Sequence, residues 1–94
     1  MEAKKIIITG GATRIGAAIA KSLADYETSI TIHFNTSKKE AEKVKKELQD
    51  LGSEVHLIKA DLNNQKQTEN LIKNAFKKMR GIDCLINNAS VFEN

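Results

Sequence analysis

The sequence predicts an α/β fold, a doubly wound parallel sheet of four strands in the order 3-2-1-4 with three crossover helices. Two observations predict this class. Short apolar runs typical of buried strands alternate along the chain with segments in which apolar residues recur at helical spacing. A glycine-rich turn joins the first apolar run to the first helical segment. With 94 residues, the chain is expected to form one small domain, residues 1–94.

The first half of the chain is predicted to form two strands and two helices. Residues 5–9 contain three consecutive isoleucines, residues 14–26 have helical periodicity, and residues 29–34 have an extended pattern. Residues 38–51 are helical again. The apolar residues on one face of this second helix are Ala41, Val44, Leu48 and Leu51.

The second half repeats the alternation. Residues 54–60 are extended, residues 65–80 are helical, and residues 82–87 form a last apolar run. The apolar residues in phase on the third helix are Leu71, Ile72, Ala75, Phe76 and Met79. The last run contains the only cysteine, Cys84, which we expect to be a buried thiol in a reducing compartment.

Residues that commonly end helices support these boundaries. Ser37, followed by Glu40, matches a capping box for the second helix, and Asn63 or Asn64 can cap the third. Glycine often follows a helix in the left-handed conformation. The glycines at such positions are Gly52 and Gly81.

The composition argues against several classes of function. The chain has 15 Lys and Arg against 12 Asp and Glu, interleaved over residues 38–50, and only four aromatic residues, so we expect no nucleic-acid binding. Three isoleucines near the N-terminus are too few for a signal or membrane-spanning segment, so we expect a cytoplasmic location without membrane contact. His33 and His56 lack the spacing of a metal site.

The run Thr-Gly-Gly-Ala-Thr-Arg-Ile-Gly, residues 9–16, lies between the first strand and the first helix. Glycine lets the backbone turn sharply without a Cβ clash, and the free amides at the start of a helix favour a bound phosphate. The run therefore predicts a nucleotide cofactor, with Gly10 and Gly16 in its phosphate cradle. A purely structural turn is the alternative.

In such a sheet, the residues after the second strand meet the adenosine ribose of the cofactor. Residues 33–38 include no acid, which would favour NAD, but do include hydroxyl and amide groups that, with Arg14, favour the extra phosphate of NADP. The candidate contacts here are His33, Asn35, Thr36 and Ser37. Alternatively, Ser37 is only a helix cap and Arg14 only faces solvent.

Polar residues also follow the third and fourth strands. Asp61 could accept a hydrogen bond from the adenine amino group, or it could be a turn residue before the next helix. Residues 87–90, Asn-Asn-Ala-Ser, carry two amides and a hydroxyl that need partners in backbone, water or ligand. Phe92 beside them could fill the core or stack on a ligand.

With these motifs in order, the chain resembles the short-chain dehydrogenase/reductase family, whose fold is Rossmann-like. The motifs are the glycine turn, Asp61 with Leu62, and the Asn-Asn-Ala segment. Within the family, the chain is most similar to pteridine reductases and dihydromonapterin reductases. That similarity rests on Arg14 within the turn, the His-aromatic-x-x-Ser segment of residues 33–37, and Asn-Asn-Ala-Ser followed by Phe92.

The resemblance implies a role for each candidate residue. Those expected to hold the adenosine end with its 2′-phosphate are Arg14, Asn35, Thr36 and Ser37. Ile15 would contact the pyrophosphate, and Asp61 and Leu62 the adenine. Those expected near the nicotinamide ribose are Asn88 and Ala89. Ser90 would contact both cofactor and pterin, and Phe92 would sandwich the pterin ring against the nicotinamide.

The proton donor of this family, a Tyr four residues before a Lys, does not occur in the sequence, where Ile30 follows the only tyrosine, Tyr26, at that distance. The chain therefore resembles the N-terminal half of an NADPH-dependent pterin reductase and is expected to be inactive alone, without catalytic residues. The alternatives are a non-catalytic cofactor-binding module, an inert remnant, or a fragment of an acyl-carrier-protein ketoreductase. An unpaired edge at the fourth strand further predicts self-association.

Overall fold

The computed structural model describes residues 3–89, which form a four-stranded parallel sheet with three helices. The strand order is β3-β2-β1-β4, so the predicted fold class and order are confirmed. The elements are β1 (Lys4–Thr9), α1 (Arg14–Leu23), β2 (Thr28–Phe34), α2 (Lys38–Asp50), β3 (Glu54–Lys59), α3 (Gln65–Met79) and β4 (Cys84–Asn87). No helix among these residues is both long enough and apolar enough to cross a membrane.

Helices cover both faces of the sheet. On one face, Ile6 and Ile8 of β1 belong to a core that includes residues of α1 and α2. On the other face, Ile7 packs with Ala75 and Met79 of α3. Because successive side chains of a strand point to opposite faces, the isoleucine run of β1 serves both cores. This inner strand therefore packs between the two helical layers.

The strand register brings the polar chain segments to one edge of the sheet. Thr9 at the end of β1 pairs with Asn87 of β4, and Phe34 at the end of β2 pairs with Lys59 of β3. All four strands are parallel, so their carboxyl ends lie at the same edge. Ligands of open α/β sheets bind at this edge.

Helix α1 ends at Leu23 rather than continuing to residue 26 as predicted. Beyond it, the N–H of Asp25 donates to the hydroxyls of Thr28 and Ser53, at 3.0 and 3.1 Å. These contacts replace the helical hydrogen bonds and turn the chain into β2. Tyr26 lies in this turn and is 88% exposed.

The helices start at the predicted positions, but not every predicted capping hydrogen bond is present. The side chain of Asn64 accepts from the N–H of Gln67 at 3.0 Å, so Asn64 rather than Asn63 caps α3. Ser37 precedes α2, yet its side chain makes no capping hydrogen bond, so the predicted capping box is wrong. The side chain of Ser37 is exposed.

The C-terminal ends of the helices use positive φ angles. Gly52 after α2 has φ 102°, and Gly81 after α3 has φ 140°. The left-handed residue that ends α3 is nevertheless Arg80, with φ 64° and ψ 39°. Its N–H and that of Gly81 both donate to the carbonyl of Phe76, which closes the helix.

The predicted apolar faces are correct only in part. Leu71, Ala75 and Met79 of α3 are buried as expected. Four residues expected to be buried or to lie on the inner faces are exposed or border on exposure: Leu51, Ile72, Phe76 and Cys84. Leu51 lies past the end of α2, and Cys84 belongs to β4, an edge strand that no further element of residues 3–89 covers. Ile72 lines a cleft together with Leu85 of β4.

Candidate functional site

The candidate site lies at the carboxyl edge of the sheet, where the glycine turn after β1 meets the ends of β2, β3 and β4. Four predicted residues converge there. The turn begins at Gly10, His33 stands below it on β2, and Asn88 and Ala89 lie against it from the end of β4. The topology therefore brings together residues that are far apart in the sequence.

The N–H groups of Gly10 and Gly11 donate hydrogen bonds to His33 of β2 and are not available to a ligand. The N–H of Gly10 donates to Nδ1 of His33 at 2.9 Å, and the N–H of Gly11 donates to the backbone carbonyl of His33 at 3.1 Å. Gly10 has φ 65°, which favours glycine because other residues rarely adopt a left-handed backbone. The first two amides of the turn are thus used to build it.

Two amides without a partner among residues 3–89 lie at the start of α1. Thr13 caps this helix, because its hydroxyl accepts from the N–H of Gly16 at 3.1 Å and donates to the carbonyl of Gly10 at 2.8 Å. The N–H groups of Arg14 and Ile15 donate to no atom of residues 3–89. With the positive end of the helix dipole, these two donors can bind an anion.

Gly16 packs against the turn so closely that a side chain has no space. A Cβ atom there would overlap the carbonyl oxygen of Gly10 and lie 2.8 Å from Nδ2 of Asn88. The absence of a Cβ therefore allows α1 to approach the glycine turn. This contact, rather than the backbone angles of Gly16, requires glycine at the position.

The segment after β4 is fastened to β1 by a threonine that we did not single out from the sequence. Thr9 donates its hydroxyl to Oδ1 of Asn87 at 3.1 Å and accepts from the N–H groups of Asn88 and Ala89 at 3.0 and 3.1 Å. Nδ2 of Asn88 donates to the carbonyl of Gly10 at 3.1 Å. The position of this threonine, at the end of a strand and directly before a glycine turn, is the sequence feature that could have indicated its role.

His33 lies beneath the turn and is 3% exposed. Its second ring nitrogen, Nε2, lies 2.8 Å from the carbonyl oxygen of Ala60. Burial lowers the pKa of this imidazole from 6.5, and its hydrogen bond to Ala60 opposes that shift in part. Both nitrogens are used within the protein, so His33 supports the site from below.

The predicted residues at the end of β2 line a cleft of about 200 Å³ next to the glycine turn. Besides Gly10 and Ala89, its walls include three exposed polar residues: Asn35, Thr36 and Ser37. No carboxylate of residues 3–89 lines this cleft. Arg14 lies in an adjoining cleft between α1 and α2, which shares Ala12 and Thr13 with the first.

Asp61 and Leu62 lie on the other side of the turn. The N–H of Asp61 donates to Gln67 at 2.8 Å, and its Oδ1 accepts from the N–H of Asn63 at 3.0 Å. Leu62 lines a cleft of about 290 Å³ toward α3 and β4. Ala89 lines both this cleft and the one beside β2, so the two meet at the end of β4.

Two predicted substrate contacts, Ser90 and Phe92, lie outside the described residues. Within residues 3–89, no group of His, Cys, Asp and Glu side chains is arranged to hold a metal ion. The cleft beside β2 and the start of α1 therefore present backbone amides and hydroxyl and amide side chains. The guanidinium group of Arg14 lies in the adjoining cleft, which Glu40 and Glu47 also line. That chemistry is suited to binding a phosphorylated organic molecule.

Comparison with known proteins agrees with this geometry. An uncharacterized oxidoreductase of Methylorubrum extorquens is 31% identical over 93 residues, which are 99% of this chain and 38% of that protein. A dehydrogenase of Burkholderia cenocepacia, solved with bound NADP, is 30% identical with a TM-score of 0.81 over 90% of this chain and 34% of its own. An NADH-dependent reductase solved with NAD is 28% identical with a TM-score of 0.85 over 95% and 37%.

The chain thus spans 34–38% of the length of these proteins. The sequence profile of the short chain dehydrogenase family matches residues 4–94. That match takes in all the strands and helices described above, together with the glycine turn and the segment after β4. We therefore conclude that this chain belongs to the short-chain dehydrogenase/reductase family.

Proposed function

We propose that the chain is the NADP(H)-binding portion of a short-chain reductase, and that the longer enzyme reduces a pterin. The observation that carries the binding proposal is a pair of amides, at Arg14 and Ile15, without a partner among residues 3–89, beside a polar cleft that no carboxylate of these residues lines. When bound, the nicotinamide group would supply hydride chemistry. The residues of this chain would bind and orient the cofactor.

The diphosphate is assigned to the start of α1. The N–H groups of Arg14 and Ile15 are two donors without internal partners, at the end of the helix where its dipole is positive. Gly16 contributes by having no side chain, which keeps α1 close against the turn. These features fit a diphosphate, because its oxygens accept several hydrogen bonds and no side chain at Gly16 blocks the start of the helix.

The 2′-phosphate is assigned to the cleft beside β2. Asn35, Thr36 and Ser37 are exposed and can donate hydrogen bonds to a phosphate. Arg14 adds a guanidinium group from the adjoining cleft. A carboxylate at the end of β2 would repel the phosphate, and none of residues 3–89 places one in this cleft. The NADP-bound dehydrogenase of Burkholderia cenocepacia supports this preference, whereas the NAD-bound reductase shows that both cofactors occur among similar folds.

The adenine is assigned to the side of Asp61 and Leu62. Oδ1 of Asp61 is used by the following turn, which leaves Oδ2 without a partner among residues 3–89 and able to accept from an amino group. Leu62 offers an apolar surface in the neighbouring cleft. The half-buried carboxylate of Asp61 could bind the polar edge of a purine ring, and the side chain of Leu62 could pack against its face.

The pterin proposal comes from the family resemblance of the residues at the end of the chain. Ser90 would contact the cofactor and the pterin, and Phe92 would stack on the pterin ring. We further propose a cytoplasmic location, where an exposed thiol such as that of Cys84 would stay reduced. The partner expected at the site is therefore a small molecule rather than a nucleic acid or a membrane.

A second candidate is a cofactor-binding module without chemistry of its own. One observation favours it for the 94-residue chain: its only tyrosine, Tyr26, is 88% exposed, lies in the turn before β2, and has no lysine four residues later. Tyr26 is thus at the opposite edge of the sheet from the glycine turn. Turnover and binding must therefore be measured separately.

Fluorescence titration of the chain with NADPH and with NADH tests the binding proposal. We expect NADPH to bind more tightly, because Arg14 and the hydroxyls meet an additional dianion. Arg14→Ala should weaken NADPH binding by roughly 10-fold to 100-fold, the range for a hydrogen bond to a charged group, and should change NADH binding much less. The matched control is Lys21→Ala, which removes a cation of the same helix that pairs with Glu47 at 3.0 Å.

The proposal fails if neither dinucleotide binds, and its preference for NADP fails if Arg14→Ala weakens both equally. For the substrate, quenching of dihydropterin fluorescence by the NADPH-loaded chain should be lost in Phe92→Ala. NADPH oxidation in the same mixture should be absent from the chain alone. Measurable NADPH oxidation would contradict the hypothesis of a binding module without chemistry, and it would require a proton donor elsewhere in the chain.

A further inference from the structure

The imidazole of His33 connects three parts of the fold at the carboxyl edge of the sheet. It belongs to β2, it accepts from the N–H of Gly10 in the turn after β1, and it contacts the carbonyl of Ala60 after β3. Both contacts are to backbone atoms. The ring is buried, at 3% exposure, so no ligand in the clefts can reach either nitrogen without breaking one of these bonds.

The two contacts require one protonation state. A backbone N–H can only donate, so Nδ1 of His33 carries no proton where it meets Gly10. A backbone carbonyl can only accept, so Nε2 carries the proton that it donates to Ala60. Only the neutral Nε2–H tautomer satisfies both partners. An imidazolium would place a second N–H against the N–H of Gly10.

His33 also holds the next peptide group of the turn. Its backbone carbonyl accepts from the N–H of Gly11, and the carbonyl of Gly10 accepts from the backbone N–H of Thr13 at 3.1 Å and from Nδ2 of Asn88 at 3.1 Å. Two successive peptide planes are therefore fixed, the first by the imidazole and the second by backbone and Asn88. The left-handed φ of Gly10 joins them.

We infer that His33 is a positioning residue for the dinucleotide: its neutral imidazole holds the peptide before Gly10 so that the amides of Arg14 and Ile15 face the diphosphate. This inference rests on the proposed cofactor binding and deepens it. The sequence alone predicts His33 as a direct contact of the cofactor. Its burial and its two backbone partners assign it instead to the support of the turn.

Two variants of similar shape separate the hydrogen bond from packing. His33→Asn places an oxygen near the position of Nδ1, where it can accept from Gly10, whereas His33→Leu has a similar outline and no acceptor. The control is His56→Gln on β3, because His56 pairs with the exposed Glu54 at 2.6 Å, away from the turn. Far-UV circular dichroism identifies the variants that fold.

The first measurement is NADPH affinity. His33→Leu should bind about tenfold more weakly than the unsubstituted chain, as expected for loss of one buried hydrogen bond at the site, and His33→Asn should lie within about threefold of it. His56→Gln should be unchanged. Equal weakening in the Asn and Leu variants, or no weakening in Leu, would overturn the inference.

The second measurement needs no cofactor and applies even if His33→Leu does not fold. Nitrogen-15 NMR of the unliganded chain should show His33 as the Nε2–H tautomer, with a coupling across the hydrogen bond between the Gly10 amide and Nδ1. A protonated Nδ1 or a rapidly exchanging Gly10 amide would overturn the inference. If this signature is present but NADPH does not bind, the proposed function fails while the support of the turn by His33 stands.

Discussion

At the scale of single residues, a close backbone approach outweighs helix propensity at Gly16. Glycine inside a helix costs roughly 0.5–1 kcal/mol relative to alanine. An alanine Cβ at this position would, however, overlap the carbonyl oxygen of Gly10, and overpacking of this kind costs about 1–3 kcal/mol. The less favourable helix former is therefore the better residue here, because it lets the start of α1 lie against the turn.

The pH dependence of stability is a second residue-scale consequence, and it follows from His33. Burial lowers the pKa of this imidazole below 6.5 in the folded chain, the Ala60 carbonyl opposes the shift in part, and no charged side chain contributes. The unfolded chain therefore binds the proton more readily than the folded chain. The stability that His33 contributes is present above pH 6.5 and is lost as the pH falls from 6.5 through the folded pKa.

Urea unfolding of the chain and of His33→Asn, from about pH 8 to about pH 5, measures this contribution. The free energy of unfolding should decrease more steeply on acidification in the unsubstituted chain than in the variant, which has no group titrating at this position. Parallel pH profiles would show that His33 titrates alike in the folded and unfolded states, against the hydrogen bonds described for it.

At the scale of elements, α3 presents two different apolar surfaces. Leu71 is 1% exposed, and with Ala75 and Met79 it packs on the sheet. Ile72 and Phe76 are 36% and 57% exposed, and Ile72 lines a cleft with Leu85 of β4. Helical periodicity assigns both groups to one broad stripe. Only the residues of this stripe that face the sheet become buried, because the sheet covers only part of the width of the stripe.

Alanine substitution distinguishes the two surfaces. Leu71→Ala should lower the free energy of unfolding by about 2–5 kcal/mol, as for a buried leucine that leaves a cavity. Phe76→Ala, one turn further along the helix, should change it by no more than about 0.5 kcal/mol, as for an exposed position. Chemical denaturation measures both. A large loss in Phe76→Ala would mean that this ring is covered in solution.

At the scale of the whole molecule, β3 and β4 are the two open edges of the sheet within residues 3–89, and the edge at β4 carries an exposed apolar side chain. β4 pairs with β1 alone among residues 3–89, and Leu85 within it is 51% exposed. Together with Ile72, which lines the same cleft, it forms an apolar surface beside unpaired backbone groups. Edge strands of this kind readily pair with another chain. We propose that the 94-residue chain self-associates through this edge.

Analytical ultracentrifugation over a range of concentrations tests the proposal. The average mass should rise with concentration for the chain and stay near that of a monomer for Leu85→Lys, because a charge on an edge strand opposes pairing. His56→Lys places the same charge on β3, the opposite edge of the sheet, and should not prevent association. A monomer at every concentration, or equal effects of the two lysines, would contradict the assignment to β4.

Local patterns were sufficient for the architecture. The isoleucine run of β1, the glycine turn and the periodicity of three helices predict the parallel sheet correctly, because strand and helix periods and crossover handedness depend on neighbouring residues and general chain geometry. The strand order 3-2-1-4 follows from the dinucleotide-binding fold that the glycine turn indicates, and it is confirmed as well. The motifs at the strand ends likewise indicated the family to which the chain belongs. These are properties that a short stretch of sequence carries by itself.

Other features depend on residues that only folding brings together. The buried contacts of His33, the role of Thr9 and the close approach of Gly16 each join segments from different strands. Cys84 is exposed because β4 is an edge strand. The sequence does not show this, because an apolar run of this kind can form either an edge strand or a central strand. Burial and hydrogen-bond partners are set by the neighbours across the sheet, and those neighbours are fixed only by the tertiary structure.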